Sequence, residues 1–349
     1  MTYPKILTAI VYRYTLPLSD GAAAGSAGDI REGALLELRD GDGNIGLGDA
    51  APLPGFSRES AREAARQLLA LTGAEAGAEE PYPSVRFALE QARLSLRADH
   101  QFGGSLSRLL SPAPRELVEL NALISTGTDD APAEARRLRD AGYRAVKLKV
   151  GSLSVDDDVE LVRGVADELD GAALRLDANR AWSFEEALRF ARGIKGVEVE
   201  YVEEPLAEPE LLSRFAEEGG LPVALDESLA GLPAAGLAGH GYATAVVLKP
   251  TLLGGLSRAL SLAARAEDLG MKPVVSSAFE SGVGTLALVA LAAALPGDGA
   301  PAGLDTYRRL GADVLNPAPE LGSELDVAEV SGVERELDLR YLEPVETKA

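Results

Sequence analysis

The sequence predicts an α/β fold, a (β/α)8-type (TIM-like, modified) barrel preceded by a smaller α+β capping domain. Three observations point there. From about residue 118, short β-branched runs alternate with alanine- and leucine-rich helical stretches, the pattern of βα units around a parallel sheet. Eight such runs fit between residues 118 and 306, the number that a closed barrel of this type needs. The first 117 residues lack the alternation and read as strands followed by helices. A chain of 349 residues has room for one large barrel or for two domains.

In the first domain, residues 1–117, the stretches 5–16 and 33–39 read as strands. Asp40-Gly-Asp-Gly-Asn44 reads as a turn, and a short strand leads into Gly48. Helices are predicted over 58–71 and 83–98, joined by the Gly- and Glu-rich linker 72–81. Two loops, 19–29 and Pro52-Leu-Pro-Gly-Phe-Ser57, are candidates for lids over a barrel mouth, with ordinary turn chemistry as the alternative. The barrel, residues 118–310, has candidate strands at 118–124, 144–150, 173–178, 199–204, 222–227, 243–249, 272–277 and 302–306. Helices are predicted near 132–141, 155–169, 183–194, 208–218, 229–237, 256–269 and 283–294. Ser183-Phe-Glu-Glu186 has capping-box spacing, and Gly142 and Gly270 fall just past helices, where a left-handed cap favours glycine. Residues 311–349 are expected to close the barrel or to return to the capping domain.

Composition removes several function classes. The formal charge of 34 − 55 = −21 repels phosphate backbones and anionic surfaces, which disfavours nucleic acid and membrane as partners. With no cysteine, disulfides, zinc–thiolate sites, iron–sulfur clusters and thiol nucleophiles are all excluded. The two histidines cannot build a multi-histidine metal site. His100, at a predicted helix end, suits the dipole there, and His240, in a Gly-flanked turn, reads as structural. The N-terminus lacks a basic-then-apolar leader, and the uncharged run from Ser281 to Gly297, 17 residues with internal glycines, is short for a membrane span. A cytoplasmic protein, monomeric or dimeric, acting on a small-molecule carboxylate is the expectation.

Barrel active sites gather at the C-terminal ends of the strands. The polar residues at those predicted ends are Lys149, Asp177, Glu203, Asp226, Lys249 and the pair Ser276 and Ser277. Their spacings of 28, 26, 23, 23 and 27 are each about one βα unit, so ionisable groups recur at the same height on five consecutive strands. Three carboxylates on adjacent strands, about 4.8 Å apart, repel one another unless a cation lies between them. An all-oxygen set selects a hard divalent ion, Mg²⁺ first, with Mn²⁺ as a substitute. Three of the chain's seven lysines fall in strand-like runs, at 147, 149 and 249. Lys147 and Lys149 share a strand face, as do Arg175, Asp177 and Asn179. Crowding by the ion, by Lys147 and by an apolar wall is expected to bring Lys149 from its ordinary pKa of about 10.4 to ~7–8, where it serves as a general base. That set can hold a carboxylate on the ion, remove its α-proton and stabilise the enediolate. A buried ion-pair network is the structural alternative. Glu204 is expected to face outward or to support its neighbour.

These residues resemble the enolase superfamily, muconate-lactonizing subgroup, in five segments: Val146-Lys-Leu-Lys-Val150, Arg175-Leu-Asp-Ala-Asn-Arg-Ala-Trp182, Tyr201-Val-Glu-Glu-Pro205, Ala224-Leu-Asp-Glu-Ser228 and Val247-Leu-Lys-Pro250. The resemblance implies Asp177, Glu203 and Asp226 as metal ligands and Lys149 and Lys249 as the catalytic lysines, with Lys147 beside them. Within the subgroup the chain is similar to the o-succinylbenzoate synthases, through Pro52–Ser57, Leu248-Lys-Pro-Thr251, Ser276-Ser-Ala-Phe-Glu-Ser-Gly-Val-Gly284 and Gly303-Leu-Asp-Thr306. That likeness implies dehydration of 2-succinyl-6-hydroxy-2,4-cyclohexadiene-1-carboxylate to o-succinylbenzoate in menaquinone biosynthesis, a carbon–oxygen lyase reaction. Lys149 would take the α-proton and return it to the departing hydroxide, and Lys249 would act by charge beneath the developing ring. Arg175, Asn179, Ser276, Ser277, Glu280 and Ser281 are expected to contact substrate, with free N–H groups at the helix start after Ser281 holding its succinyl carboxylate. An N-succinylamino acid racemase or dipeptide epimerase, with the lysines acting on opposite faces, is the rival. A Schiff-base aldolase needs no carboxylate trio, and a non-catalytic binding barrel needs neither trio nor lysines.

Overall fold

The computed structural model describes residues 5–19, 30–72, 80–125, 127–297 and 299–345. Residues 20–29 of the first predicted lid and 73–79 of the linker lie outside these. In the capping domain β1 (Ile6–Pro17), β2 (Ile30–Asp40) and β3 (Ile45–Ala50) form an antiparallel meander. Two helices follow, α1 (Ala61–Thr72) and α2 (Pro83–Phe102). Both faces of this sheet are covered. Val11, Leu36 and Leu38 pack against Leu68, Val85, Ala88 and Ala92 of the two helices. Tyr12, Tyr14, Leu16 and Leu35 point the other way, towards Val283, Val314 and Leu315. Double coverage explains why the middle of β2, residues 33–38, is buried at every position rather than at alternate ones.

After α3 (Leu106–Leu110) the predicted strand 118–124 divides. β4 (Leu117–Glu119) turns away from the barrel, and β5 (Ala122–Ile124) opens it. The barrel then runs α4 (Ala131–Asp140), β6 (Ala145–Lys149), α5 (Val155–Leu169), β7 (Ala173–Asp177), α6 (Phe184–Gly193) and β8 (Tyr201–Glu203). It continues through α7 (Leu212–Gly219), β9 (Val223–Leu225), β10 (Ala243–Leu248), α8 (Pro250–Leu253), α9 (Leu256–Asp268), β11 (Lys272–Val275) and α10 (Gly282–Ala294). The strands β5 to β11 form one seven-stranded parallel sheet in chain order. The predicted eighth strand, 302–306, is reduced to Ala302 and Gly303, which bridge Leu120 and Ser276. Their backbone bonds, Asn121 N–H to Ala302 O (2.9 Å) and Gly303 N–H to Val275 O (2.8 Å), close the ring. Asp305–Arg309 winds into a 3₁₀ turn, which ends the strand early. The helix predicted at 229–237 is likewise a 3₁₀ segment, Ala234–His240. The capping box at Ser183 and Glu186 is formed, and Gly142 and Gly270 have φ of 89° and 75°.

The last stretch contributes β12 (Leu315–Asn316), β13 (Glu324–Asp326), α11 (Val327–Gly332), β14 (Glu336–Leu337) and β15 (Leu342–Pro344). β13 pairs with β4 beside the barrel, and β15 adds to the capping sheet alongside β1. Strands from the beginning and the end of the described residues are thus paired, and the two domains share a packed boundary through Val283, Val314 and Leu315. No helix among the described residues is long and apolar enough to cross a membrane.

β3 lies so close to α2 that a Cβ on Gly48 would come within 2.0 Å of the Ala88 carbonyl oxygen. Backbone cannot give way there as a flexible side chain can. Gly48→Ala should therefore cost about 1–3 kcal/mol, read as a lower urea midpoint. An unchanged midpoint would show that strand and helix can slide apart.

Candidate active site

Sheet register decides which strand-end groups meet. Lys149, Asp177 and Glu203 lie directly opposite one another across β6, β7 and β8. Glu203 then faces Ala224 on β9, two residues before Asp226, and Leu225 faces Val246 on β10, three before Lys249. Barrel strands tilt against the axis, so equal height is kept by stepping up the register from strand to strand. The five groups are therefore not one hydrogen-bonded row, yet they surround one mouth.

Asp177 and Glu203 are fully buried, and Asp226 is nearly so. Three lysines neutralise the three carboxylates. Lys147 Nζ lies 2.7 Å from both Asp177 Oδ2 and Glu203 Oε2. Lys149 Nζ donates to Asp177 Oδ2 and to Asn179 Oδ1, each at 2.6 Å. Lys249 pairs with Asp226 Oδ2, with Glu203 Oε1 at 3.9 Å. Burial pushes the Glu203 carboxyl up to about 7, reinforced by Asp177 and offset by Lys147. Burial also works against ionised Asp177, but Lys147, Lys149 and Lys249 outweigh it and hold that carboxyl well below its usual range. Asp226 is raised by burial against the pull of Lys249.

Lys147 departs from its expected part. Burial favours its neutral form, yet Asp177 and Glu203 override that and raise its pKa well above the ordinary value. It is a counter-ion to two carboxylates rather than a cation crowding Lys149. Lys249 is also raised, burial being overcome by Asp226 and Glu203.

Both Glu203 oxygens are buried without a well-aligned hydrogen-bond donor, although Lys147 stands close to one of them. An orphaned buried carboxylate between two others is what a hard cation would satisfy, so these residues fit Mg²⁺ or Mn²⁺. Among the described residues, a tighter set of metal-type ligand atoms is Asp40, Asp42 and His100, all within 4.8 Å of one another. There Asp40 Oδ1 accepts the N–H groups of Asp42 and Asn44 (both 2.9 Å), the bonding of a turn clamp. His240 bonds back to Gly236 O within its own 3₁₀ segment.

Several expected substrate contacts are placed elsewhere. Arg175 is fully buried one layer beneath Asp177, spent on Glu200 (2.6 Å), Asn121 Oδ1 (2.8 Å) and Pro301 O (2.7 Å). It ties the barrel floor rather than meeting the mouth. Glu280 is fully buried and accepts from Thr251 Oγ1 and Ala278 N–H, both at 2.6 Å. Ser281 donates its N–H and its hydroxyl to Asp49 Oδ2, both at 2.8 Å, and Gly282 N–H goes to Asp313 (2.9 Å). The start of α10 is thus already capped by two buried carboxylates, which corrects the expectation of free donors there. Ser276 and Ser277 do reach the strand end, where both hydroxyls donate to Gly303 O across the seam. Asn179 lies in the mouth, between Lys149 and Glu227.

Sequence reasoning missed the joint between the domains. Arg31 spends all five guanidinium donors on backbone carbonyls: Phe279, Ala278, Pro52, Ala51 and Glu32. Its only signal was Arg31 being set just before the apolar centre of β2, Gly33–Leu36. The joint fixes the 52–57 loop, whose Phe56 ring centroid lies 5.8 Å from Lys249 Nζ, a cation–π contact from cap to barrel. A cavity of about 630 Å³ opens beside them, lined by Phe56, Arg58, Arg86, Asp226, Lys249 and Arg258 among others.

Residues 130–332 match the family described as enolase C-terminal domain-like, and residues 6–96 match the MenC N-terminal domain. The o-succinylbenzoate synthase of Edwardsiella ictaluri is 35% identical over 320 residues, spanning 89% of this chain and 94% of that protein. The chain belongs to the o-succinylbenzoate synthase family, lyases of the enolase superfamily. Members of this superfamily use Mg²⁺. Among solved structures, the N-succinyl Arg/Lys racemase of Bacillus cereus aligns with a TM-score of 0.85 at 20% identity, over 98% of this chain and all of that one. The L-Ala-D/L-Glu epimerase of Bacillus subtilis aligns at 0.80 and 24%, over 92% of this chain and 96% of that one. At such identities the likeness is one of fold.

Asp49, which caps α10, is fully buried, and burial pushes its carboxyl up to about 6, with the Ser281 bonds pulling down and Glu280 pushing up. A carboxyl raised in the folded state stabilises the fold below its unfolded pKa of about 3.8, and that stabilisation is lost as pH rises through about 6. Asp49→Asn can still accept from Ser281 and can donate to Tyr14, now bonded at 3.0 Å. Relative to this variant, the wild type should lose about 2 kcal/mol of stability between pH 4 and pH 6.5, measured by urea titrations at each pH. A pH-independent difference would place the Asp49 charge elsewhere.

Proposed function

We propose that this chain is a Mg²⁺-dependent dehydratase, converting 2-succinyl-6-hydroxy-2,4-cyclohexadiene-1-carboxylate to o-succinylbenzoate in menaquinone biosynthesis. The observation that carries the reading is Glu203, buried with no well-aligned donor on either oxygen, between Asp177 and Asp226 and flanked by Lys149 and Lys249. The family's named activity supports the specific reaction. Asp177, Glu203 and Asp226 would hold the ion, which when bound supplies positive charge to a substrate carboxylate and so acidifies its α-carbon. Lys149, paired to Asp177 and steered by Asn179, is the base: its free amine takes the α-proton as the C–H bond breaks. The same Nζ then delivers the proton to the departing hydroxide, so that water leaves and the ring becomes aromatic. Lys249 keeps its charge through its pairing with Asp226, and under a substrate ring it acts as a cation, with Phe56 closing the cap side.

A second reading, racemisation or epimerisation of an N-succinylamino acid or dipeptide, is favoured by one observation. Lysines stand on both sides of the carboxylate set, as two-face proton exchange requires.

The deciding assay is turnover of the cyclohexadiene substrate with Mg²⁺, with and without chelator. Chelator-sensitive turnover is expected. Its absence in folded protein, with α-proton exchange in an N-succinylamino acid, would move the assignment to the second reading. Lys149→Ala should lower kcat by at least about 10²–10⁴-fold while fold and Mn²⁺ binding persist. Turnover surviving in that variant would remove Lys149 as the base. Asp226→Asn should raise the Mg²⁺ concentration for half-maximal activity by about tenfold or more, and an unchanged requirement would take Asp226 out of the ligand set.

A further inference from the structure

Three strand ends carry the carboxylates, and one side chain joins all three. Glu204 follows Glu203 but turns out of the lumen and is fully buried. Its Oε1 accepts Asp226 N–H (3.0 Å) and Ser228 N–H (2.7 Å) from the end of β9. Its Oε2 accepts the Ser228 hydroxyl (3.0 Å) and Arg180 Nε (3.1 Å), the latter from the end of β7. Arg180 reaches the same Ser228 hydroxyl through its terminal nitrogen (2.9 Å), and its backbone N–H bonds to Glu204 O (2.7 Å). The backbone is held in an uncommon conformation where these bonds form. Asn179, Arg180 and Glu204 have φ of 42°, 60° and 40°, left-handed values that cost energy in non-glycine residues and persist when the surroundings over-determine them.

We propose that Glu204 is a positioning residue for the metal centre: by spanning from Arg180 to the Asp226 backbone it sets how far Asp226 stands from Asp177 and Glu203. The inference rests on the metal reading above and adds to it. Its content is that reach, not charge, is what Glu204 supplies. A bond to the Asp226 amide fixes the root of that side chain, and supporting bonds of this kind tune metal affinity in other proteins by about 10–100-fold. A charge effect, by contrast, would operate through any carboxylate of similar placement.

Two substitutions separate the alternatives. Glu204→Asp keeps the charge but is one methylene short of the Asp226 and Ser228 amides, whereas Glu204→Gln keeps the reach and an acceptor oxygen but loses the charge. The readout is Mn²⁺ binding to the full chain without substrate, by electron paramagnetic resonance or calorimetry, together with thermal unfolding of the metal-free protein. Glu204→Asp should weaken Mn²⁺ binding by about tenfold and Glu204→Gln by less than about threefold, in samples that both unfold cooperatively. The reverse order, equal losses, or binding unchanged in both variants would overturn the inference. If Glu204→Asp does not fold, a loss of more than about tenfold in Glu204→Gln overturns it and retention within threefold supports it. Wild-type protein that binds no Mn²⁺ would instead remove the metal reading itself, a result distinct from any of these.

Discussion

Three carboxylates buried at neighbouring strand ends are the constraint on which the remainder of the barrel mouth depends. Each has lost most of its hydration, and close like charges in a low-dielectric interior cannot all remain ionised without compensation. Here compensation comes from Lys147, Lys149 and Lys249, one positive charge for each negative one. The balance is uneven. Asp177 touches two lysines and is held strongly ionised, whereas burial drives Glu203 up to about 7. Glu203 is thus the place where added positive charge gains most. A divalent cation entering there would relieve the least compensated oxygens and release lysine contacts, linking metal binding to the freedom of Lys149.

The capping domain matters because the mouth has walls as well as a floor. Arg31 and Asp49 both reach from the capping sheet into the 278–281 segment, Arg31 to the Ala278 and Phe279 carbonyls and Asp49 to Ser281. A guanidinium with five carbonyl partners is a rigid joint, and a lysine could not reproduce its planar fork. Through this joint the 52–57 loop has a defined height over Lys249, visible in the placement of Phe56. β15 completes the tie by pairing residues 342–344 with β1 of the first domain.

Much of this was legible in the sequence because barrel chemistry is periodic. Lysines and carboxylates in apolar runs, one βα unit apart, could be assigned to strand ends before any coordinates, and Lys149, Asp177, Glu203, Asp226 and Lys249 do meet at one mouth. What was not legible depends on contacts distant in sequence. Arg175 shares a face with Asp177, so alternation alone offered it to substrate. Only its partners Asn121 and Pro301, 54 and 126 residues away, reveal that it lies a layer deeper. Ser281 and Glu280 carry the right chemistry in the right segment, but Asp49, 232 residues before Ser281, had already claimed its donors. The eighth strand shrank to two residues because Asp305–Arg309 turns early, which a run of apolar residues does not announce.

Lys147 bears on the part proposed for Lys149. Paired with Asp177 and Glu203, Lys147 offsets charge on both carboxylates. Lys149 is left with Asp177 and the neutral Asn179 amide, partly open to the mouth, while Lys147 is sealed beneath. The two lysines of one strand thus differ by depth: the lower one balances the carboxylate cluster, and the upper one, partly exposed, is the one that the proposed mechanism uses as base. In the proposed reaction, the base would therefore act within a charge balance spread over the whole cluster rather than beside one positive neighbour.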